Sequence, residues 1–142
     1  MILSVIVSVA LLIETISDIR TKTVSVTRLL VYFLLAVAGN IIFYYQTVSS
    51  MIGGIIVGVI VLIYGIITKE GIGYGDGLVF MCLGAAIGLS NSIRVLFLSL
   101  MMAIFAGGVF LLVKHKDIKT QIPFVPCILC SFLVLKGIEL VI

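Results

Sequence analysis

The chain has 142 residues, of which 63% are hydrophobic and 11% are charged, and its mean hydropathy is +1.44. A soluble domain is about 45–50% apolar and about 25% charged, so no soluble core could hide this much apolar surface. The composition excludes a soluble protein, and the net charge of +3 concerns membrane topology rather than nucleic-acid binding.

The apolar segments predict an all-α bundle of about six transmembrane helices in a single domain, residues 1–142. One span needs about 20 apolar residues, which leaves no room for a separate soluble domain. The first segment lacks a basic leader and a small-residue cleavage site, so we expect a retained span. The expected spans are 1–17, 29–45, 51–68, 77–89, 93–113 and the segment after Pro126, with a turn at 90–92 between the fourth and fifth.

The basic residues are distributed unevenly between alternate loops. Seven of the nine lie in the first, third and fifth loops: Arg20, Lys22, Arg28, Lys69, Lys114, Lys116 and Lys119. Loops rich in lysine and arginine stay on the cytoplasmic side, so these three loops are expected there and both termini outside. The protein is therefore expected in the cytoplasmic (inner) membrane as a multi-pass protein.

Glycine occupies every second position from Gly71 to Gly77, and one acid, Asp76, lies in that stretch. Glycine allows backbone to bend or to approach another group closely. An acid at a membrane boundary indicates a functional site. Tyr74 lies beside it and is interpreted either as an interfacial tyrosine or as a hydrogen-bond donor to the site.

Two further acids, Glu14 and Asp18, lie near the cytoplasmic end of the first span. They are four residues apart and would share one face of a helix. Glu14 alone could be a buried carboxylate paired with a loop base, and Asp18 alone could be a helix-end acid. Together, Asp18 and Asp76 could share one proton, as close carboxylates in a desolvated site do, and so supply a general acid and a general base.

Three motifs make the chain resemble the type IV prepilin peptidases, bacterial relatives of the GxGD aspartyl proteases. Asp18, Arg20 and Val24 match a D-x-R-x-x-x-[IV] pattern, although Ser25 and Val26 replace the usual Pro-Asn. The second motif, G-x-G-x-G-D, is matched by residues 71–76, with Leu78 in place of the usual lysine. The third, [IV]-P-F-x-P, is matched by residues 122–126.

The resemblance implies a membrane aspartyl endopeptidase that cleaves the basic leader of a prepilin or pseudopilin at the cytoplasmic face. Asp18 and Asp76 would be the catalytic pair, and the resemblance does not assign which of them is the acid and which the base. The residues expected to bind substrate or shape the site are Gly73, Tyr74, Gly75, Glu14, Arg20, Pro123 and Pro126. Arg20 could equally anchor the first loop at the lipid interface.

No cofactor and no metal are expected. The cysteine-rich N-terminal insert of larger relatives is not found in this sequence, so we do not expect N-methylation with S-adenosylmethionine. Cys127 and Cys130 offer two sulfurs without a second pair, whereas structural zinc sites take four ligands.

The main alternative is a small transporter or channel that uses the same acids as a proton or cation relay. Residues 73–76 also read G-Y-G-D, as in a potassium-channel filter, but a filter lies toward the outside behind a short pore helix. A structural membrane subunit is a third possibility. Leader removal from a co-expressed prepilin, or ion flux without it, would discriminate between the first two.

Overall fold

The computed structural model describes residues 2–21, 25–68, 74–114 and 124–141. These residues form five helices: α1 (Ile2–Thr21), α2 (Val26–Phe43), α3 (Val48–Thr68), α4 (Tyr74–Lys114) and α5 (Val125–Val141). Within these described ranges, three helical segments are long and apolar enough to cross a membrane: Val26–Phe43, Val48–Ile67 and Tyr74–Val109. The all-helical fold is confirmed for this part of the chain, and the count of six spans and the outward termini stay predictions.

The closest helix packing is between α3 and the first half of α4. A Cβ added at Gly54 would overlap the backbone of Gly84, and one added at Gly58 would overlap the backbone of Met81. The pairing of early α3 residues with later α4 residues makes the two helices antiparallel. Small residues allow such backbone approach, so these glycines bring α3 and α4 into close contact.

The helix α4 is interrupted at Gly88, where φ is +75° and ψ is −179°. That backbone conformation is open essentially to glycine alone. The interruption corrects the predicted turn at 90–92, because those three residues are helical. Ser90 and Asn91 carry side chains, so their backbone could adopt such a positive φ only with strain. Gly88 has no side chain and adopts it freely.

The chain reverses its direction at Gly88. A straight helix would separate Asp76 from Met102 by about 39 Å. Yet Asp76 lies within electrostatic range of Cys127 on α5. The Ser131 hydroxyl, one turn further along α5, donates a hydrogen bond to the Met102 sulfur at 3.4 Å. Both halves of α4 therefore pack beside the same part of α5.

The core lies where α4 and α5 meet, and α1 packs chiefly against α5. Phe80, Ile128 and Phe132 are completely buried there. Many large apolar side chains of α1, α2 and α3 point outward instead, which is the pattern expected of helices that face lipid. The core thus fixes α5 relative to the ends of α1 and α4 that carry the acids.

Candidate functional site

Asp18 lies in the last turn of α1, beyond the apolar part of that helix, and is 8% exposed. Its Oδ2 accepts a hydrogen bond from the backbone N–H of Val125 at 3.4 Å. Val125 is the first residue of α5, so the carboxylate meets the positive end of a helix dipole. The expected first span ended at residue 17, whereas α1 continues to Thr21 and so includes Asp18.

The first turn of α5 offers few backbone donors besides that of Val125. The N–H groups of Cys127 and Ile128 both point back to the carbonyl oxygen of Phe124, at 2.9 and 3.2 Å. Pro126 has no N–H, and proline is well suited to the first turn of a helix because its φ is already helical. The chemistry of this turn therefore directs the N–H of Val125 to Asp18.

Two opposing influences act on the Asp18 carboxyl. Burial raises its pKa above the ordinary value of 3.8, because the charged form loses hydration. The hydrogen bond from Val125 favours the charged form and lowers the pKa, by less than burial raises it. The pKa of Asp18 is therefore raised overall, and Asp18 keeps its proton to a higher pH than it would in water.

Asp76 lies in the first turn of α4 and is also 8% exposed. The following residue, Gly77, rests against the backbone of Leu62 on α3, where a Cβ would overlap it. This contact holds the start of α4 against α3. The Asp76 carboxyl lies within electrostatic range of Cys127 in the first turn of α5.

The two aspartates come from different helices and both lie at the first turn of α5. Asp18 contacts its first residue, Val125, and the Asp76 carboxyl lies within electrostatic range of Cys127 two residues later. Two carboxyl groups in a partly desolvated site do not ionise equally, so one can hold a proton while the other accepts one. This arrangement is suited to general acid–base chemistry.

Glu14 lies one turn before Asp18 and is 1% exposed. Its carboxylate accepts two hydrogen bonds from Arg28 on α2, from Nε at 2.9 Å and from Nη2 at 3.3 Å. The same Nη2 donates to the Ser17 hydroxyl at 2.8 Å. Pairing of Glu14 with a base from the first loop region, one of the two interpretations of that acid, is confirmed.

For the other residues predicted to shape the site, the structure gives a position and a degree of exposure. Tyr74, the first residue of α4, is 57% exposed. Gly75 is half-buried between it and Asp76, and Arg20 is exposed at the end of α1. Pro126 lies in the first turn of α5, half-buried, and Gly73 and Pro123 lie outside the described residues.

The described residues contain no group of three or more histidine, cysteine or acidic side chains placed to hold a metal ion. Of the Cys-x-x-Cys pair, Cys127 is half-buried and Cys130 is exposed. The site described here is thus built from carboxyl groups and the end of a helix.

Comparison with known proteins identifies the family. A model of the type IV leader peptidase family matches residues 5–112, which include both aspartates, and the chain belongs to this family. It is similar to a prepilin leader peptidase/N-methyltransferase of Xanthomonas campestris pv. campestris, with 36% identity over 58 residues. The match covers 41% of this chain and about a fifth of that relative's length, 20%. No solved structure matches the chain.

Sequence reasoning missed two residues that the structure places at or beside the site. Val125 contributes a backbone N–H, which no side-chain pattern could reveal. Arg28 was treated only as a loop cation, although a basic residue in the first turn of α2 is unfavourable for the helix dipole. That unfavourable position was a signal that Arg28 has a partner elsewhere.

Proposed function

We propose that this chain is a membrane aspartyl endopeptidase that removes the basic leader of a prepilin or pseudopilin. The observation that carries the proposal is that two buried aspartates from separate helices, Asp18 and Asp76, lie near the first turn of α5. Both aspartates lie within residues 5–112, the segment that matches the leader peptidase family. The similarity to the Xanthomonas prepilin leader peptidase/N-methyltransferase supports the same substrate class.

In the proposed reaction Asp76 is the base and Asp18 the acid. Asp76 takes a proton from water, whose oxygen attacks the carbonyl carbon of the scissile peptide. Asp18, with its raised pKa, gives its proton to the leaving nitrogen as the C–N bond breaks. Water contributes its OH to the new carboxyl and one hydrogen to the new amine, and the proton held by Asp76 then returns to Asp18. The hydrolysis therefore balances with no metal, and we propose that it needs no cofactor.

The substrate must present an extended peptide bond to the acids, because a helical peptide shields its carbonyl carbons with its own hydrogen bonds. A cleavage site just before an apolar helix meets this need, since the leader is not part of that helix. We propose that Gly73, Gly75 and Tyr74 form one wall of the approach, and that Pro123 and Pro126 form another.

The proposed topology has six spans, with the cleavage site at the cytoplasmic face. A 41-residue helix would be about 60 Å long, twice the hydrocarbon thickness of a bilayer. The reversal at Gly88 supports counting α4 as two spans. The excess of basic residues in alternate loops supports the cytoplasmic placement of Asp18 and Asp76 and the outward termini.

The test is co-expression of the chain with a candidate prepilin, scored by the loss of the leader on a gel and by mass of the new N-terminus. Asp18→Asn and Asp76→Asn should each abolish cleavage, because asparagine can neither accept nor give the proton. Each variant should remain membrane-integrated and run as a monodisperse species in detergent. Glu139→Gln is the matched control, since Glu139 is an exposed acid of α5 paired with Lys136.

Cleavage by either aspartate variant at the wild-type rate would refute the proposed pair. Proton or cation flux through reconstituted protein, with no leader removal, would favour a relay instead. Cleavage lost in Glu139→Gln as well would show that removal of any acid from the chain is damaging, and the aspartate results would then not identify a site.

A further inference from the structure

We propose that Arg28 is a positioning residue of the peptidase, which acts through Glu14 and Ser17 to hold the turn of α1 that carries Asp18. This inference rests on the proposed function and adds to it a residue that touches neither aspartate in the described structure. Four observations carry it, all from side-chain geometry and burial.

Arg28 stands in a place that its own helix disfavours. It is the third residue of α2, where the unpaired N–H groups create positive potential. That first turn contains no acidic residue, and the Ser25 side chain at the N-cap makes no capping hydrogen bond. Local helix energetics therefore do not account for an arginine here, and a contact outside α2 must offset the cost.

The contact is a three-point attachment to α1. Nε and Nη2 of Arg28 each donate to one oxygen of Glu14, and Nη2 also donates to the Ser17 hydroxyl. A planar guanidinium can make such a fork, whereas a lysine ammonium cannot. Because the two acceptors lie three residues apart, the contact restrains rotation of the last turns of α1 as well as their separation from α2.

Glu14 and Arg28 differ in how deeply their side chains are buried. Glu14 is 1% exposed, whereas the Arg28 side chain is 42% exposed. A buried carboxylate without its partner is strongly unfavourable, so loss of Arg28 would drive the Glu14 side chain to move toward water. That movement disturbs the helix turn that continues directly into Asp18.

The other attachment of this turn is to α5. The α1 helix packs chiefly against α5 and little against α4, and the Val125 N–H meets Asp18 at 3.4 Å. The end of α1 is thus held between α2, through Arg28, and α5, through Asp18. Removing the first attachment leaves Asp18 near the site but less well oriented, and displacement of a reacting group by about 1 Å can reduce a rate about 100-fold.

The experiment separates positioning from stability. Arg28→Met alone leaves a buried unpaired charge and should lower the yield of folded protein. The double variant Glu14→Met with Arg28→Met removes both charges and should restore the yield, since no buried carboxylate is then left without its partner. If Arg28 positions Asp18, kcat of the double variant for prepilin cleavage stays reduced about 10- to 100-fold while KM changes less than threefold.

Two further variants sharpen the result. Arg28→Lys keeps the charge without the fork, and its kcat should fall between those of the wild type and the double variant. Lys136→Met is the matched control, because it removes the cation of an exposed ion pair on α5. Its kcat and KM should equal those of the wild type.

A spin-label distance between positions 19 and 133 gives a readout that does not depend on cleavage. Ile19 and Leu133 are exposed residues of α1 and α5. The distance distribution should broaden in the double variant and not in Lys136→Met. A double variant with wild-type kcat overturns the inference, whatever the distance shows.

Failure of the peptidase proposal would look different. If the wild-type chain does not cleave prepilin, that proposal fails, and the distance measurement alone decides whether Arg28 holds the Asp18 turn. An unchanged distance distribution in the double variant would then overturn the inference as well.

Discussion

Two regions with polar side chains lie at opposite ends of the first half of α4, and their polar groups have different roles. At Gly88 the polar side chains are neutral, and they bond to backbone groups that the helix break has released. At Asp76 and Asp18, about 18 Å away along the helix axis, the polar side chains are carboxyl groups. The first region uses its polar groups to build the fold, whereas the second keeps titratable groups where a substrate could meet them.

The Gly88 region consists of Gly88 and the nearby polar side chains of Asn40, Gln46 and Ser50, which bond to backbone groups of α4. The Leu89 N–H, which a continuous helix would direct to the carbonyl of Ala85, instead donates to the Ser50 hydroxyl at 3.3 Å. The Ala85 carbonyl accepts from the Asn40 amide at 2.6 Å. The neighbouring Ala86 carbonyl accepts from the Gln46 amide at 2.8 Å. Amides from the end of α2 and the connection that follows it therefore replace bonds that α4 loses.

The largest expected effect on stability comes from Gly88→Val. The substitution forces a β-branched residue into a glycine-only conformation, and its Cβ would overlap the Gln46 and Ser50 side chains. We expect a loss of at least about 3 kcal/mol, seen as a fall in the detergent unfolding temperature and in folded yield. Any folded fraction should cleave prepilin at the wild-type rate per molecule.

Gly108→Val is its control, because a Cβ at Gly108 would meet no atom within 4 Å. Only a small change in helix propensity is expected there, about 0.5 kcal/mol or less. Equal stability of the two variants would remove the structural role assigned to the Gly88 region, and with it the contrast between the two ends of α4.

A middle-sized effect is expected from Asn40→Leu. It leaves the Ala85 carbonyl buried without its donor, which costs about 1–3 kcal/mol of unfolding free energy. Chemical denaturation in detergent would measure the loss, and cleavage per folded molecule should not change.

Asp76→Asn should do the reverse, with cleavage abolished and stability nearly kept.

Ser8→Ala serves for comparison, because the Ser8 hydroxyl bonds to a carbonyl within its own helix, that of Ser4. Its removal should cost less than that of Asn40, since the Ser4 carbonyl keeps its helical partner. Reduced cleavage per folded Asn40→Leu molecule would mean that the Gly88 region takes part in the reaction.

The smallest expected effect is a shift in pH dependence from Val125→Pro. Proline removes the N–H that stabilises the charged form of Asp18 but suits the first position of a helix. The pKa of Asp18, already raised by burial, should rise further. Cleavage that needs a protonated Asp18 is present below that pKa and is lost as pH rises through it, so the alkaline limb should move to higher pH.

The measurement is the pH profile of kcat/KM for the purified protein. Val125→Ala keeps the N–H and should leave the alkaline limb in its wild-type position. A downward shift in Val125→Pro, or none, would contradict the assignment of the proton to Asp18.

The sequence was informative about the acids and less so about the groups that hold them. Asp18 and Asp76 could be selected because carboxyl groups are rare in apolar segments and their cost demands a reason. Arg28 and Asn40 were overlooked, since their partners Glu14 and Ala85 are distant in sequence. Such pairs follow from how α2 lies against α1 and α4, which depends on the packing of whole helices.

The sequence by itself determined that the chain is a helical membrane protein and that its acids lie near the boundaries of apolar segments. Composition and periodicity carry this information because burial in lipid imposes it on each segment separately. Only the tertiary structure decided that α4 turns back at Gly88 rather than at 90–92, that Asp18 and Asp76 lie at one end of α5, and that Arg28 restrains Glu14. Those features depend on backbone groups and on contacts between helices, to which each helix contributes only one half.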